Sequence, residues 1–264
     1  MKIAIMTDLE GTAGVTSFHQ ETYPEGRHHV LARQLAMAEV NAAVDGFLEA
    51  GCDDILIIDG HGPGGLWFEH MHPEAKLLHG RPVAPRSVRD AVLRDYDATV
   101  IIGQHAMSGV ATSNLNHTQS SRSIYSITLN GKPIGEIAQW TLYHGAFGMP
   151  LIYLTGEEDA CAEAEALVPG ITTVAVKKGL SRESAVSVSK EKARSLIRAG
   201  AVRAVEQHRA QPVAPLVWEG PFVLEKRYFH THDVDHYDGA ADAQRIDGQT
   251  VRITGDDVRK VIYA

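Results

Sequence analysis

The sequence predicts an α/β protein, a mainly parallel, helix-flanked sheet with antiparallel additions and a C-terminal α+β appendage. Short, nearly all-apolar runs such as Lys2–Thr7, Asp54–Asp59 and Ala98–Gly103 have the character of strands covered on both faces. Segments with helical periodicity lie between them, so strands and helices alternate. Beyond Pro212 and Pro215 the pattern changes to antiparallel-type alternation. The chain therefore divides into an α/β core, residues 1–208, and an appendage, residues 209–264, which is not an independent domain.

The elements follow in order. The first strand runs out at Thr7-Asp8-Leu9-Glu10-Gly11. A helix is expected from about Leu31 to Ala50, with Leu35, Val40, Val44, Phe47 and Leu48 among its apolar positions and Gly51 closing it. The strand Asp54–Asp59 leads into Gly60-His61-Gly62. Ser87 is expected to cap a helix through Asp95, and the strand Ala98–Gly103 leads into Gln104-His105. Ser123–Leu129, Asn130-Gly131 and Lys132–Ile134 read as a hairpin around a type I′ turn. From Gly135 to about Ala146 the pattern is helical, which puts Glu136 in the first turn. Pro150–Leu154 is a buried strand, Glu157–Leu167 a helix, Thr172–Val176 a strand and Lys190–His208 a long amphipathic helix. In the tail, Leu216–Phe229 alternates as a strand and Thr250–Thr254 is a short one before a last helix. There is no internal repeat and no low-complexity stretch.

A chain of 264 residues with 44% hydrophobic and 22% charged content has the composition of a soluble globule with a sizeable core. Its formal net charge of −8 and the lack of a basic stripe argue against nucleic-acid binding. No apolar run reaches membrane-spanning length and the N-terminus enters a strand directly, so a cytoplasmic protein without a membrane partner is expected. Cys52 and Cys161 support neither a disulfide framework nor a sulfur-ligated metal site. The 14 histidines fit metal or acid–base chemistry.

Asp8 and Glu10 lie where open α/β sheets bind ligands, beyond the carboxyl ends of the strands. In an extended segment, side chains at i and i+2 share a face, so both carboxylates can point at one centre. Like charges that close are costly unless a cation neutralises them, which favours a metal site over a helix-capping Asp and a solvated Glu. His61 and His105 occupy the same position after two further strands. Acidic and imidazole groups thus converge on one sheet edge, and metal binding follows. Imidazole and carboxylate ligands without thiolate suit zinc, with manganese or cobalt as substitutes.

Asp8-Leu9-Glu10-Gly11, Asp59-Gly60-His61, Gly103-Gln104-His105-Ala106, Asn116-His117 and Gly131-Lys132-Pro133-Ile134-Gly135-Glu136 stand in an order and spacing that resembles the binuclear zinc D-aminopeptidase family, the self-compartmentalising, DppA-type metallopeptidases. The likeness extends from Met1 to about Val205, taking in Ala162–Glu165 and Thr172–Lys177, and fades in the tail. It implies that Asp8, Glu10, His61, His105 and Glu136 ligate two zinc ions per chain. Asp8 would bridge, Glu10 and His61 would complete one ion, and His105 and Glu136 the other. It also implies that His117 is the catalytic histidine, moving a proton to the leaving amine or from the attacking water. The implied protein is a zinc-dependent aminopeptidase acting on short peptides, with D-residue peptides the family expectation and a ring-stacked homo-decamer the family assembly.

From the residues alone Glu136 also suits a helix's first turn, where a carboxylate complements the dipole. Asp59 either orients a ligand histidine or caps the strand end. His230-Thr231-His232-Asp233-Val234-Asp235-His236 contains a His-x-His pair of the kind that binds metal in amidohydrolase barrels. It lies too late in the chain for that fold, so a solvated turn or an active-site rim is expected. Gly62-Pro63-Gly64-Gly65 lacks the Lys-Ser/Thr of a phosphate loop. Substrate-pocket walls are expected from Ala106–Thr118 and from Phe229–Tyr237. The alternatives are a metal-dependent amidase for a β-amino or other small amide, a phosphoesterase, and a non-catalytic peptide-binding protein with a structural metal. Against the phosphoesterase, no Arg or Lys is evidently placed at a strand end.

Overall fold

The computed structural model describes residues 1–264. In chain order its main elements are β1 (Lys2–Thr7), α1 (His29–Glu49), β2 (Asp54–Asp59), β3 (Lys76–Leu78), α2 (Arg86–Leu93), β4 (Ala98–Gln104), β5 (Ile124–Leu129), β6 (Lys132–Pro133), α3 (Glu136–Gly145), β7 (Leu151–Glu157), α4 (Glu158–Leu167), β8 (Thr172–Ser181), β9 (Ser184–Ser187), α5 (Lys190–Ala210), β10 (Phe222–Tyr228), β11 (Ala243–Arg245), β12 (Thr250–Gly255) and α6 (Val258–Val261). One sheet has the order β3-β2-β1-β4-β7-β8-β9 and is parallel except for its last pair. The strands β4 and β7 are buried along their whole length, as strands covered on both faces must be. A second, antiparallel sheet has the order β11-β12-β10-β5-β6.

The chain leaves β1 on one side, through β2 to β3, and returns to the other side at β4. The crevice between the carboxyl ends of β1 and β4 is therefore a topological switch point, where open α/β sheets take their ligands. Two close backbone approaches draw the loops together there. Asp8 N donates to Ile102 O at 2.9 Å and Gly11 N to Gly103 O at 2.7 Å. A Cβ on Gly11 would collide with the Gln104 carbonyl. A Cβ on Gly103, which sits at φ +80°, would collide with the Asp8 carbonyl.

The second sheet is assembled from two distant segments, because β10 and β12 of the tail pair onto β5, which is inserted between β4 and α3. Residues 209–264 thus share a sheet with residues of the preceding segment. The larger apolar core lies around the parallel sheet with α1, α4 and α5, and the smaller beneath the antiparallel sheet. The helix α3 belongs to both: Ile137 and Trp140 enter the larger core, and Ala138, Leu142 and Tyr143 the smaller.

Several bounds differ from the sequence-based expectation. The helix α2 starts at Arg86 behind Pro85 and has no side-chain cap, so Ser87 is not its cap, and it stops at Leu93. Proline with its fixed φ serves at this helix start without a capping oxygen. The strand β7 continues through Thr155-Gly156-Glu157, because Ser113 Oγ and Gly179 N satisfy the buried Glu157 carboxylate. The strand β8 runs on to Ser181 and turns back as β9. The strand expected from Leu216 begins only at Phe222, after Pro221. The hairpin expected at Asn130-Gly131 forms, both residues having positive φ (51° and 75°), as a type I′ turn requires.

Candidate metal centre

Each strand end delivers one part of a buried cluster. The first strand ends in Asp8 and Glu10, 7% and 3% exposed. Asp8 Oδ1 accepts from Leu9 N at 2.9 Å, and Oδ2 accepts from Gln104 Nε2 at 3.2 Å. His61 follows β2 and turns Nε2 to within 3.3 Å of Glu10 Oε1. His105 follows β4. Its Nδ1 donates to the Ala106 carbonyl at 2.9 Å, which leaves Nε2 as the free imidazole nitrogen. That nitrogen lies 3.1 Å from Asp8 Oδ2 and 3.6 Å from Glu136 Oε1, yet has no hydrogen-bond partner. Glu136 reaches in from the first turn of α3, where its Oε1 accepts from Gln119 N at 2.7 Å.

His117 closes the cluster. Its Nδ1 donates to Leu115 O at 3.0 Å, its ring stacks on His105 at 4.0 Å between centroids, and its Nε2 lies 3.8 Å from Glu136 Oε1. Leu115 and Gln119, on either side of it, have φ of 57° and 63°. Non-glycine residues in the left-handed region carry backbone strain, which persists only where the surroundings over-determine it. Here Leu115 is fully buried and its N–H is bonded to Arg182 O.

Ligand-type atoms of Asp8, Glu10 and His105 lie within 4.8 Å of one another, as do those of His105, His117 and Glu136, so His105 joins the two groups. His61 is attached through Glu10. Besides His105 Nε2, the buried atoms Glu10 Oε2 and His61 Nδ1 have no protein partner. Buried polar atoms without partners are costly, and a cation placed among them removes the cost, so the donor set fits a metal.

The electrostatics agree. Burial, then the neighbouring Glu10, pushes Asp8 up to about 7. Burial works against the charged forms of His61 and His105, yet Glu10 drives His61 up to about 9, and Asp8 and Glu136 drive His105 up to about 10. Burial also opposes ionisation of Glu10, but His61 holds it well below the usual carboxylate range. The carboxylates thus demand positive charge at this point. His117 is the opposite case, since burial and then His105 push it down to about 4 and leave a neutral base.

Several surrounding side chains acquire roles that local sequence did not indicate. Asp59 contacts no imidazole; its Oδ1 accepts from Gly65 N at 2.9 Å and so ties down the loop that carries His61. Arg81 clasps the same loop, donating to the carbonyls of Asp59, His61 and Gly62. Lys177, on β8, is buried and gives its ammonium protons to Glu10 O, Val15 O and Asn114 Oδ1. It therefore stitches the Glu10 loop to the loop that holds His117. Neither residue stands at a strand end itself, Lys177 lying within β8 and Arg81 beyond β3, but both reach the loops that follow the strands. Lys177 itself has no free donor to offer a substrate, while Arg86 and Arg122 line the cleft.

That cleft, about 620 Å³, is bordered by Asp8, Glu10, His61, His117 and Glu136. Its opposite wall is Tyr23 with Arg122 stacked on it at 3.7 Å, and Tyr263 enters from the tail. The expected walls are corrected accordingly. Of Ala106–Thr118 only His117 borders the cleft, and Phe229–Tyr237 does not reach it. His232 is 76% exposed on the short 3-10 helix Thr231–Tyr237, stacked on His230 at 5.5 Å, so this cluster is a solvated turn and not a rim.

The sequence profile of the D-aminopeptidase family matches residues 1–264. A D-aminopeptidase of Bacillus subtilis (strain 168) is 26% identical over 219 residues, covering 81% of this chain and 78% of its own. The solved structure of the Zn-dependent D-aminopeptidase DppA from Bacillus subtilis, described as a self-compartmentalizing protease, superposes with a TM-score of 0.90 at 23% identity. The match covers 100% of this chain and 94% of that one, and shows the same mixed α/β fold.

Proposed function

The chain belongs to the D-aminopeptidase family, and on that premise we propose that it is a zinc-dependent aminopeptidase that removes the N-terminal residue, by preference a D-residue, from short peptides. The observation that carries this reading is the buried cluster at the switch point, where carboxylates and imidazoles converge with ligand atoms left unpartnered. We assign Asp8 as the shared ligand of two zinc ions, Glu10 and His61 to one, and His105 and Glu136 to the other. Bound zinc supplies Lewis-acid polarisation of a carbonyl and acidification of water.

The chain's own groups do the rest. His117 presents a neutral Nε2 to the cleft, because Leu115 O holds its Nδ1–H, and it takes a proton from the attacking water and returns one to the leaving amine. The cleft's size admits a short peptide and no folded domain. A homo-oligomer with enclosed sites is the assembly we infer from the neighbour's description as self-compartmentalizing, and the ring-stacked decamer is the form the family resemblance implies. No helix is long and apolar enough to cross a membrane. The two buried cysteines are unpaired, in keeping with a cytoplasmic enzyme.

The test combines metal analysis with turnover of matched D- and L-alanyl amides. Close to two zinc ions per chain, loss of activity on chelation, and a higher kcat/KM for the D-amide are expected. Asp8→Ala should empty the site most, whereas His117→Ala should keep the metal and lose about a hundredfold or more in kcat. Full activity after exhaustive metal removal would sink the reading.

A further inference from the structure

Beside the metal cluster a second, more enclosed cavity of about 240 Å³ opens from the cleft. The two spaces share Gly60, Arg86, Gln119, Glu136 and Tyr263, so they meet along a mouth to which Glu136 belongs. The cavity's apolar and aromatic lining, Met6, Ile58, Leu78, Leu93, Trp140 and Tyr143, stands beside the polar Gln139 and His144.

The charged groups of the lining each hold a hydrogen bond to a protein group, Asp59 from Gly65 N and Glu136 from Gln119 N among them. Asp90 accepts from Tyr143 Oη at 2.7 Å, and Arg89 Nε donates to Ala84 O at 3.0 Å. The Arg86 guanidinium stacks over the rings of Tyr143 and Tyr263, 5.5 and 5.2 Å from their centroids, and donates to Arg259 O. Burial keeps the wall histidine, His144, uncharged. The ionised groups of the lining are thus of both signs, Arg86 and Arg89 against Asp59, Asp90 and Glu136, and they give the space no single charge to select a charged guest. Apolar cavities of about 150 Å³ hold a benzene ring, so this one has room for a leucine- or phenylalanine-sized group with space to spare.

We propose that this cavity is the specificity pocket for the side chain of the substrate's N-terminal residue, and that it selects bulky uncharged side chains over alanine. The assignment rests on the aminopeptidase reading for the position of the scissile bond. A chain end suits the enclosed side, while the rest of the peptide leaves through the wider cleft toward Tyr23 and Arg122. A methyl group leaves most of the cavity unfilled, and each methylene added in an apolar pocket is worth about 10- to 200-fold in discrimination at most.

The experiment measures kcat/KM for alanyl, leucyl and phenylalanyl amides of one handedness on the metal-loaded enzyme and on Val83→Trp, a replacement at the exposed edge of the cavity. The leucyl and phenylalanyl amides should exceed the alanyl amide by about tenfold or more. Val83→Trp should shrink the phenylalanyl-to-alanyl ratio by a similar factor. Equal or greater turnover of the alanyl amide, with a ratio unmoved by Val83→Trp, overturns the pocket. Calorimetry with phenylalaninol and alaninol, which have no bond to cleave, separates the two readings. If no amide is hydrolysed, the aminopeptidase reading fails, and tighter binding of phenylalaninol still upholds the pocket while equal binding overturns it.

Discussion

Lys177 illustrates how one side chain can hold a site without touching a substrate. Its ammonium is buried, held down to about 8 by burial, and surrounded by neutral oxygens from the Glu10 loop and the His117 loop. Removing it leaves Glu10 O, Val15 O and Asn114 Oδ1 facing an apolar group, and each buried unpaired acceptor costs about 1–3 kcal/mol. Lys177→Met should therefore weaken zinc affinity by roughly 10- to 100-fold, the usual effect of losing a support behind a ligand. Competition with a chromophoric chelator reads this out, and unchanged affinity would show that the loops hold their places alone. Asp8, Glu10, His61 and His105 were legible in the sequence because each directly follows an apolar strand. Glu136 and His117 were legible only through the family resemblance. Lys177 and Arg81 were not read as site supports: Lys177 meets Glu10 across 167 residues, and Arg81 reaches back about twenty residues to backbone carbonyls, which carry no side-chain signal.

The helix α3 carries Glu136 and is buried along nearly all its length. The helical pattern from Gly135 predicted the helix, but not that two cores share it, since that follows from which sheet each face meets. Its last turn holds His144, whose Nδ1 donates to Trp140 O at 2.9 Å while Nε2 is buried without a partner. Burial pushes this imidazole from 6.5 down to about 4. The unfolded chain, with an ordinary histidine, binds the extra proton between those values, so the contribution to stability is complete above about 6.5 and drains away as the pH falls toward 4. The amount is on the order of 3 kcal/mol, at about 1.4 kcal/mol per pH unit. Denaturant midpoints at pH 7.5 and 5 (about these values suffice) should therefore converge more for His144→Leu than for the unaltered protein. Parallel losses in both would show that His144 titrates normally. The strands β3 and β9 were missed for a related reason: short edge pieces take their structure from a neighbour, not from their own apolar pattern.

At the scale of the whole molecule, α3 packs into both cores, so the two sheets are expected to open as one cooperative body. Its tail-side core requires β10 against β5, a pairing in which Val223 meets Asn130 from 93 positions away. Native-state hydrogen exchange should show amides of α3, β5 and β10 opening together with one free energy, near that of global unfolding. Much faster exchange in β10 than in α3 would mean that the tail is only a loose attachment. The same long-range pairing orders events in time when the polypeptide is made. On a ribosome, Asp8, Glu10, His61, His105 and His117 all emerge while the partner strand of β5 is still untranslated. At about 5–20 residues per second, translating those 93 positions takes on the order of ten seconds. The nascent chain therefore carries these proposed ligands before the tail-side core that helps seat Glu136 can form. On the proposed reading, the complete site waits for the translation of β10.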